Sequence, residues 1–399
     1  MRSFSKLLLI PVLLVAFVFS NAEAQIAVKG EMVYTMAGDP ITDGVVLIKD
    51  GKIERVGSAS DVSIPSNYEV HEAKVVTPGL IDAHSVVGLA GHLNQEHDQD
   101  QLETSSAIQP ELRAIDAYNA REALVGHLRD HGITTVHTGH GPGALISGQT
   151  MIVKTAGETV EESVVVPAKM LAMTLGNNMS REISKPGTRS KGIAMLRQTF
   201  IKAQDYLEKR NGEEEYSKDL GMEALADLLE GKLTALVTVH KANDIMTALR
   251  LQEEFGFPMV LDGVAEAYLI LDEIKAAGVS VTVHPTMMRT YGDGKNASME
   301  TAGKIYEAGI PVAFQSGYEG YVPKTRVVLF EAGVAAANGL GKENALKMLT
   351  IDAAKLLGIE DHVGSLVEGK DADIAMFDGD PLEYVTNITG VIINGEKVK

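Results

Sequence analysis

Residues 234–317 repeat one pattern, and this repeat constrains the fold more than any other feature of the sequence. Each unit is a short β-branched run, a polar residue and an amphipathic helix that ends at glycine, as in TALVTVH followed by DIMTALRLQEEFG. The runs are apolar on both faces, as parallel strands covered by helices are, and they are too short for helices. The pattern therefore predicts successive βα units.

The same order of elements appears upstream, where KVVTPGLIDAH and GITTVHTGH bracket the helical stretch PELRAIDAYNAREALVGHLRDHG. Six strands can be identified in all, and the less regular segment 150–230 leaves room for the others. We therefore predict an α/β fold with a (β/α)8 TIM-type barrel over residues 78–362. A doubly wound open sheet is the alternative that the same pattern allows.

The two ends of the chain differ in character from the middle. Residues 25–77 and 363–399 read as short antiparallel strands separated by turn residues, among them Asp50-Gly51 and Asn394-Gly395. Such pairs are typical of two-residue hairpin loops. Because both ends share this character, we expect them to pair with each other in one small composite β-sandwich domain beside the barrel.

Residues 1–24 have the organisation of a secretory signal peptide. Two cationic residues precede the apolar run LLLIPVLLVAFVF, and an Ala-Glu-Ala cleavage pattern follows it. An uncleaved anchor is the alternative, but the run is shorter than the roughly 20 residues that a membrane span needs. The sequence thus predicts a periplasmic or secreted protein with no membrane association after cleavage.

Composition narrows the range of ligands and metals. The chain contains no cysteine, so any metal would be held by nitrogen and oxygen atoms alone. Its formal net charge of −18 disfavours binding to nucleic acid and to anionic lipid. We therefore expect a small-molecule ligand or substrate and no nucleic-acid partner, and an assembly of identical subunits is left open.

Five stretches in a fixed order resemble the amidohydrolase superfamily, and most closely its exported imidazolonepropionase-like members. They are GKIERVG, VVTPGLIDAH, ISGQTMIVKTAG, VHKANDIMTALRLQEEFG and LTIDAAKLLGIEDHVGSLVEGKDADIAMFDGDPL. The resemblance implies a barrel whose mouth binds one or two divalent ions, such as zinc or manganese. These ions activate a water molecule and polarise the scissile carbonyl during hydrolysis of C–N bonds.

The resemblance also implies particular ligands, of which only some are present. The family carries His-x-His on strand 1, a lysine or glutamate mid-barrel, one histidine each on strands 5 and 6, and a proton-shuttling aspartate on strand 8. His84 and His240 match the first strand-1 ligand and the strand-5 ligand. Val86, Gly263 and Gly317 stand at the second strand-1 histidine, the strand-6 histidine and the aspartate. We therefore do not expect the usual binuclear mechanism.

Other side chains at the barrel mouth are candidates for rebuilding a site. Five histidines are predicted there, enough nitrogen for one zinc-type ion: His84, His137, His140, His240 and His284. Asp262 and Glu319 are the candidate substitute carboxylates for proton transfer. The alternative interpretation is that these histidines are hydrogen-bonded residues of the barrel rim.

Two classes of function follow from this reading. In the first, the chain is a hydrolase of C–N bonds in small amides, cyclic amides or dipeptide-like molecules, with an altered site that binds one divalent ion, zinc or manganese, or none. In the second, the barrel is catalytically inactive and binds a small molecule or a partner protein. The fold cannot separate the two, because unrelated functions share one fold.

Overall fold

The computed structural model describes residues 25–93, 95–176, 183, 186–212, 216–288, 292–318 and 328–399. The predicted leader, residues 1–24, and the candidate carboxylate Glu319 lie outside these ranges. Within them, no helix combines the length and the apolar character that crossing a membrane requires.

Sixteen strands form within the described ranges. In chain order they are β1 Ile26–Val33, β2 Ile41–Lys49, β3 Lys52–Ser58, β4 Glu69–Pro78, β5 Leu80–Ser85, β6 Ile133–Gly139, β7 Ile146–Lys154, β8 Val164–Val166, β9 Met170–Thr174, β10 Thr234–Val239, β11 Met259–Gly263, β12 Ser280–Val283, β13 Val312–Phe314, β14 Ile374–Phe377, β15 Ile388–Ile393 and β16 Glu396–Lys397.

Ten α-helices connect or cover these strands in the same part of the chain. They are α1 Ala123–Asp130, α2 Val160–Ser163, α3 Arg189–Asn211, α4 Leu220–Leu229, α5 Ala242–Phe255, α6 Leu271–Ala277, α7 Thr301–Glu307, α8 Val328–Ala335, α9 Lys342–Met348 and α10 Ile351–Leu357. Short 3₁₀ turns occur at Glu96–Asp98, Ala114–Asp116, Ala267–Leu269 and Asp293–Asn296, and a π turn occurs at Ala336–Leu340.

Eight of the strands from β5 to β13 form the predicted barrel, and the ninth, β8, pairs with β7 outside it. Their order is β5-β6-β7-β9-β10-β11-β12-β13, and a parallel bridge between Ser85 and Gly317 joins the last strand to the first. The closed order excludes the open-sheet alternative. Apolar side chains that face away from the barrel, such as Val237 and Val239 of β10, pack against Ile245 and Ala248 of α5 in the largest core.

One barrel strand departs from the regular βα pattern. β7 runs antiparallel to both of its neighbours, β6 and β9. Residues 140–145, which connect β6 to β7, are too few to form a crossover helix, so the chain turns back as a hairpin. Gly139 and Gly143 have φ angles of 158° and 151°, which side chains rarely adopt and which help the chain to reverse.

The two ends of the chain pair as predicted, although they form a single sheet instead of a two-sheet sandwich. The sheet has seven strands in the order β16-β15-β14-β4-β1-β2-β3, and β4 from the first end pairs antiparallel with β14 from the second. Both predicted hairpin turns are present, since Asp50, Gly51, Asn394 and Gly395 all have positive φ angles. The sheet is curled, since these two turns at its opposite edges lie against each other: a Cβ on Gly395 would be 2.6 Å from Gly51 Cα.

A buried charge network joins the terminal sheet to the barrel. Lys154, at the end of β7, lies 2.5 Å from Asp373 and 3.3 Å from Asp371. The side chains of Lys154 and Asp373 are only 7% and 3% exposed. The Asp373 carboxylate also accepts a hydrogen bond from the backbone N–H of Asn394, 2.9 Å away. These contacts fix the position of the terminal sheet on the barrel.

Candidate functional site

The centre of the barrel mouth is a buried carboxylate with four donors. Asp262, near the end of β11, accepts hydrogen bonds from His84 Nδ1 at 3.0 Å and from the hydroxyls of Thr238 and Thr282, each at 2.7 Å. The side-chain amide of Gln315 is the fourth donor. All five residues are at most 2% exposed. The donors come from β5, β10, β12 and the end of β13, so one carboxylate connects four parts of the barrel.

Strand register explains why these side chains meet. The pairing of β10, β11 and β12 aligns Thr238 with Asp262 and Asp262 with Thr282. Residues aligned across neighbouring strands project to the same face, so the three polar side chains lie at one level inside the barrel. Thr238, Thr282 and Gln315 were missed by the sequence analysis. The available signal was a polar residue within one position of the end of each apolar run.

The electrostatics of Asp262 argue against its predicted role as a substitute base. Burial raises the pKa of this carboxyl, but the charge and hydrogen bond of His84 and the two threonine hydroxyls outweigh it and place the pKa below its usual value. An ionised carboxylate held by four donors is a poor proton acceptor. The structure therefore places Asp262 as the partner of His84 and not as a base of its own.

His84 has one ring nitrogen engaged and one available. Nδ1 contacts Asp262, whereas Nε2 is buried and has no hydrogen-bond partner among the described residues. The ring lies 5.9 Å from the ring of His137 and 5.7 Å from that of Tyr318, measured between centroids. A histidine that is oriented through one nitrogen by a carboxylate presents its other nitrogen for proton exchange or for ligation.

His137, a predicted metal ligand, has no nitrogen left for an ion in this arrangement. Its Nδ1 is 2.8 Å from the carbonyl oxygen of Ala83, and its Nε2 is 2.6 Å from the hydroxyl of Thr150. Burial, assisted by the charge of His84, lowers the pKa of His137 to about 3. The ring is therefore a neutral, fully hydrogen-bonded residue of the barrel wall, as the alternative interpretation of the rim histidines expects.

His140 lies beyond β6 in the hairpin and is only 5% exposed. Its ring packs over Gly148 of β7, where a Cβ would be 2.5 Å from the ring carbon Cδ2. Neither ring nitrogen has a hydrogen-bond partner in the part of the chain that the structure describes. Burial lowers the pKa of this histidine, which favours the neutral ring.

The rings of His240 and His284 occupy the space in front of Gly263 and Gly317, the two glycines that the sequence analysis aligns with expected functional residues. A Cβ on Gly263 would be 2.5 Å from His240 Cε1, and a Cβ on Gly317 would be 2.6 Å from His284 Nε2. Both glycines also have positive φ angles, 88° and 86°. Neither position can accept a histidine or an aspartate unless the neighbouring ring moves and the backbone changes.

A second buried carboxylate lies where the barrel closes. One oxygen of Asp82 accepts hydrogen bonds from the backbone N–H groups of Ser316, at 3.0 Å, and His84, at 3.3 Å. The other oxygen is buried and has no hydrogen-bond partner within the described ranges. Burial raises the pKa of Asp82 to about 6, against the opposing effect of these hydrogen bonds and of His84.

These donors do not fit the binuclear centre that the resemblance implies. All five candidate histidines lie among the residues that the structure describes. Within those residues, no group of three histidine, aspartate or glutamate side chains is arranged to hold an ion. Val86, which the sequence analysis aligns with the second strand-1 histidine, is a buried apolar residue. The prediction for Glu319 falls outside the described ranges.

The close approach at Gly317 leads to a stability prediction. We expect Gly317→Ala to lower the free energy of unfolding by about 1–2 kcal/mol more than Gly256→Ala does, because the added methyl group overlaps the His284 ring. Gly256 is a matched control: its φ of 75° carries the same backbone strain, and no atom lies within 4 Å of its added Cβ. Urea unfolding measures both; equal losses would contradict the packing described above.

The amino-acid sequence is similar to those of known amidohydrolases. Residues 88–398 match the sequence model of a family described as the amidohydrolase family. The imidazolonepropionase of Streptococcus gordonii is 24% identical over 407 aligned residues, which cover 90% of each chain. Amidohydrolase tasK of Hapsidospora irregularis is 25% identical over 378 residues, but the match spans only 38% of its length.

A solved structure extends the similarity to the whole architecture. The crystal structure of an amidohydrolase from Thermotoga maritima superposes with a TM-score of 0.87 and 30% sequence identity. The superposition covers 94% of this chain and 99% of the other. It therefore includes both the barrel and the terminal sheet.

Proposed function

Because this chain belongs to the amidohydrolase family, we propose that it hydrolyses C–N bonds in small amides, cyclic amides or dipeptide-like molecules at a site centred on His84. The observation that carries the proposal is the buried His84–Asp262 pair, 3.0 Å apart, whose remaining ring nitrogen has no hydrogen-bond partner among the described residues. Relatives named imidazolonepropionase favour a ring-containing amide as the substrate class.

The chemistry of this pair suits amide hydrolysis. His84 Nε2 takes a proton from a water molecule while the water oxygen bonds to the carbonyl carbon. The ionised carboxylate of Asp262 stabilises the imidazolium that forms. His84 Nε2 then gives the proton to the leaving nitrogen as the C–N bond breaks, so that one water molecule is consumed and an acid and an amine are released.

The metal requirement of the proposal is at most one divalent ion, zinc or manganese. Such an ion would supply Lewis-acid polarisation of the carbonyl, and His84 Nε2, which has no hydrogen-bond partner among the described residues, would be a ligand to it. The steps above use only the side chains of His84 and Asp262 and one water molecule.

The proposal places the mature protein in the periplasm or outside the cell, acting on a small molecule. It is supported by the cationic start, the apolar run and the Ala-Glu-Ala pattern of residues 1–24. The net charge of −18 supports the exclusion of nucleic acid and anionic membranes as partners.

A second candidate function has its own observation in support. The rings of His240 and His284 fill the space at Gly263 and Gly317, where the family resemblance expects a ligand and the proton shuttle. A barrel closed in this way favours an inactive relative that binds a small molecule or a partner protein at its mouth. His84 would then supply a hydrogen bond to the ligand and no proton transfer.

One experiment separates the two candidates. Purified mature protein is stripped of metal, divided into samples with no addition, zinc or manganese, and assayed on cyclic amides and dipeptides. We expect turnover that falls about 10²–10⁴-fold in His84→Ala and is unchanged in His97→Ala, which replaces an exposed histidine. Metal analysis of the untreated protein is expected to give at most one ion per chain.

Two outcomes would overturn the hydrolase proposal. Two bound ions per chain with turnover that survives His84→Ala would mean that a different centre performs the reaction. Saturable binding of a cyclic amide, weakened by His84→Ala and without any turnover of wild-type protein, would favour the binding function.

A further inference from the structure

We infer that Asp262 is a positioning residue: it fixes the tautomer and the orientation of the His84 ring so that Nε2 is the atom that exchanges the proton. The inference deepens the proposed function and rests on it for the reaction itself. Its structural content, the state of the His84 ring, does not depend on whether a substrate is turned over.

The first argument is the number of donors that hold the carboxylate. One oxygen of Asp262 accepts from His84, Thr282 and Gln315, and the other accepts from Thr238. An ionised carboxylate has about four acceptor positions. Three donors therefore fill one oxygen, so a proton taken from water could bind only the other oxygen, to which Thr238 already donates.

The second argument is the origin of the four donors. His84 and Asp262 are separated by 178 positions in the chain, and Gln315 is 53 positions beyond Asp262. The donors are carried by β5, β10 and β12 and by the residue after β13, so the carboxylate cannot shift without breaking a hydrogen bond to one of these elements. A rigidly held acceptor in turn restricts the His84 ring to one orientation.

The third argument concerns the proton on the ring. An ionised carboxylate can only accept, so His84 Nδ1 must carry the hydrogen that lies between it and Asp262. In the neutral ring, Nε2 then carries the lone pair. Because His84 is 1% exposed, solvent offers little competition for that lone pair.

The direct test is the tautomer of His84 in the purified protein, measured by long-range ¹H–¹⁵N NMR after chelator treatment. The expected result is a ring protonated at Nδ1. A ring protonated at Nε2 would overturn the inference. The measurement requires no substitution and no substrate, so it remains decisive if a variant fails to fold.

Substitution then tests the cause. In Asp262→Asn, a neutral amide of the same shape replaces the carboxylate, and we expect the Nδ1-protonated fraction of His84 to fall from nearly all molecules to about half or less. The matched control is Thr282→Val, which removes one donor to the same oxygen and leaves the charge in place, so the tautomer should be unchanged. An unchanged tautomer in Asp262→Asn would contradict the inference.

Activity gives an independent readout. If the wild type hydrolyses a cyclic amide, Asp262→Asn should lower kcat by at least tenfold, shift the pH–rate profile and leave KM within about twofold, since Asp262 does not touch substrate. A pH–rate profile of Asp262→Asn that matches the wild-type profile would contradict the inference. A His84 tautomer that responds as expected in a protein without turnover would leave the positioning role standing and remove the hydrolase proposal.

Discussion

Replacing Lys154 with methionine is expected to lower the free energy of unfolding by about 3–5 kcal/mol, the loss that follows when one member of a buried ion pair is removed. Methionine is close to lysine in volume, so the core stays filled while Asp373 loses its counter-charge. Asp373 is 3% exposed, and water cannot compensate for that loss. Urea unfolding of mature protein, followed by circular dichroism, measures the difference.

Two further variants make this prediction specific. Lys52→Met is the matched control, because Lys52 pairs with Asp371 at 2.6 Å but is 50% exposed, and exposed pairs contribute only about 0–1 kcal/mol. The double variant Lys154→Met/Asp373→Asn should recover most of the loss, since asparagine can still accept from the Asn394 N–H. Equal losses of unfolding free energy for Lys154→Met and Lys52→Met would show that water solvates the buried ion pair as well as it solvates the exposed one.

Asp82 is expected to make the protein less stable as the pH rises from about 4 to about 6, the reverse of the usual behaviour of a carboxylate. Burial raises the pKa of Asp82 from 3.8 to about 6 in the folded state. In this window the folded chain retains a proton that the unfolded chain has lost, so the unfolded state gains relative stability as the pH increases. The pKa shift corresponds to a loss of about 3 kcal/mol in the free energy of unfolding. This loss is absent below pH 4 and complete above pH 6.

The measurement compares wild type with Asp82→Asn, because other carboxylates also titrate in this window. Both proteins are treated with chelator, so that no ion near His84 disturbs the titration. Asp82→Asn cannot ionise at this position, so its unfolding free energy should rise relative to that of the wild type as the pH increases from about 4 to about 6. The difference between the two proteins should then be constant above pH 6. A difference that is constant between pH 4 and pH 7 would mean that Asp82 has an ordinary pKa.

Much of the fold was predictable because its signals are local. The repeated strand–helix units and the Asp50-Gly51 and Asn394-Gly395 turns depend on residues close together in the chain, and each was confirmed. The direction of β7 was missed for the opposite reason. An apolar run predicts a buried strand whether it runs parallel or antiparallel, and the direction follows from the short connection over residues 140–145.

The candidate site was predictable only in part. The family resemblance predicts that Gly263 and Gly317 stand at substituted positions, and local periodicity placed His84 at the end of a strand. Periodicity could not show that the rings of His240 and His284 fill the space at those glycines. The same limit applies to His137, whose two hydrogen-bond partners lie on other strands.

Asp262 shows the difference between what the local sequence predicts and what the tertiary structure decides. Its place in the sequence, one residue before a strand-end glycine, identifies a carboxylate near the barrel mouth and suggests a base. Its chemistry depends on His84, 178 positions away, and on Thr238, Thr282 and Gln315, which only the strand register brings within hydrogen-bond distance. Residue type and strand position are thus local properties of the chain. The protonation state and role of a buried carboxyl are set by charges and donors that tertiary folding assembles around it.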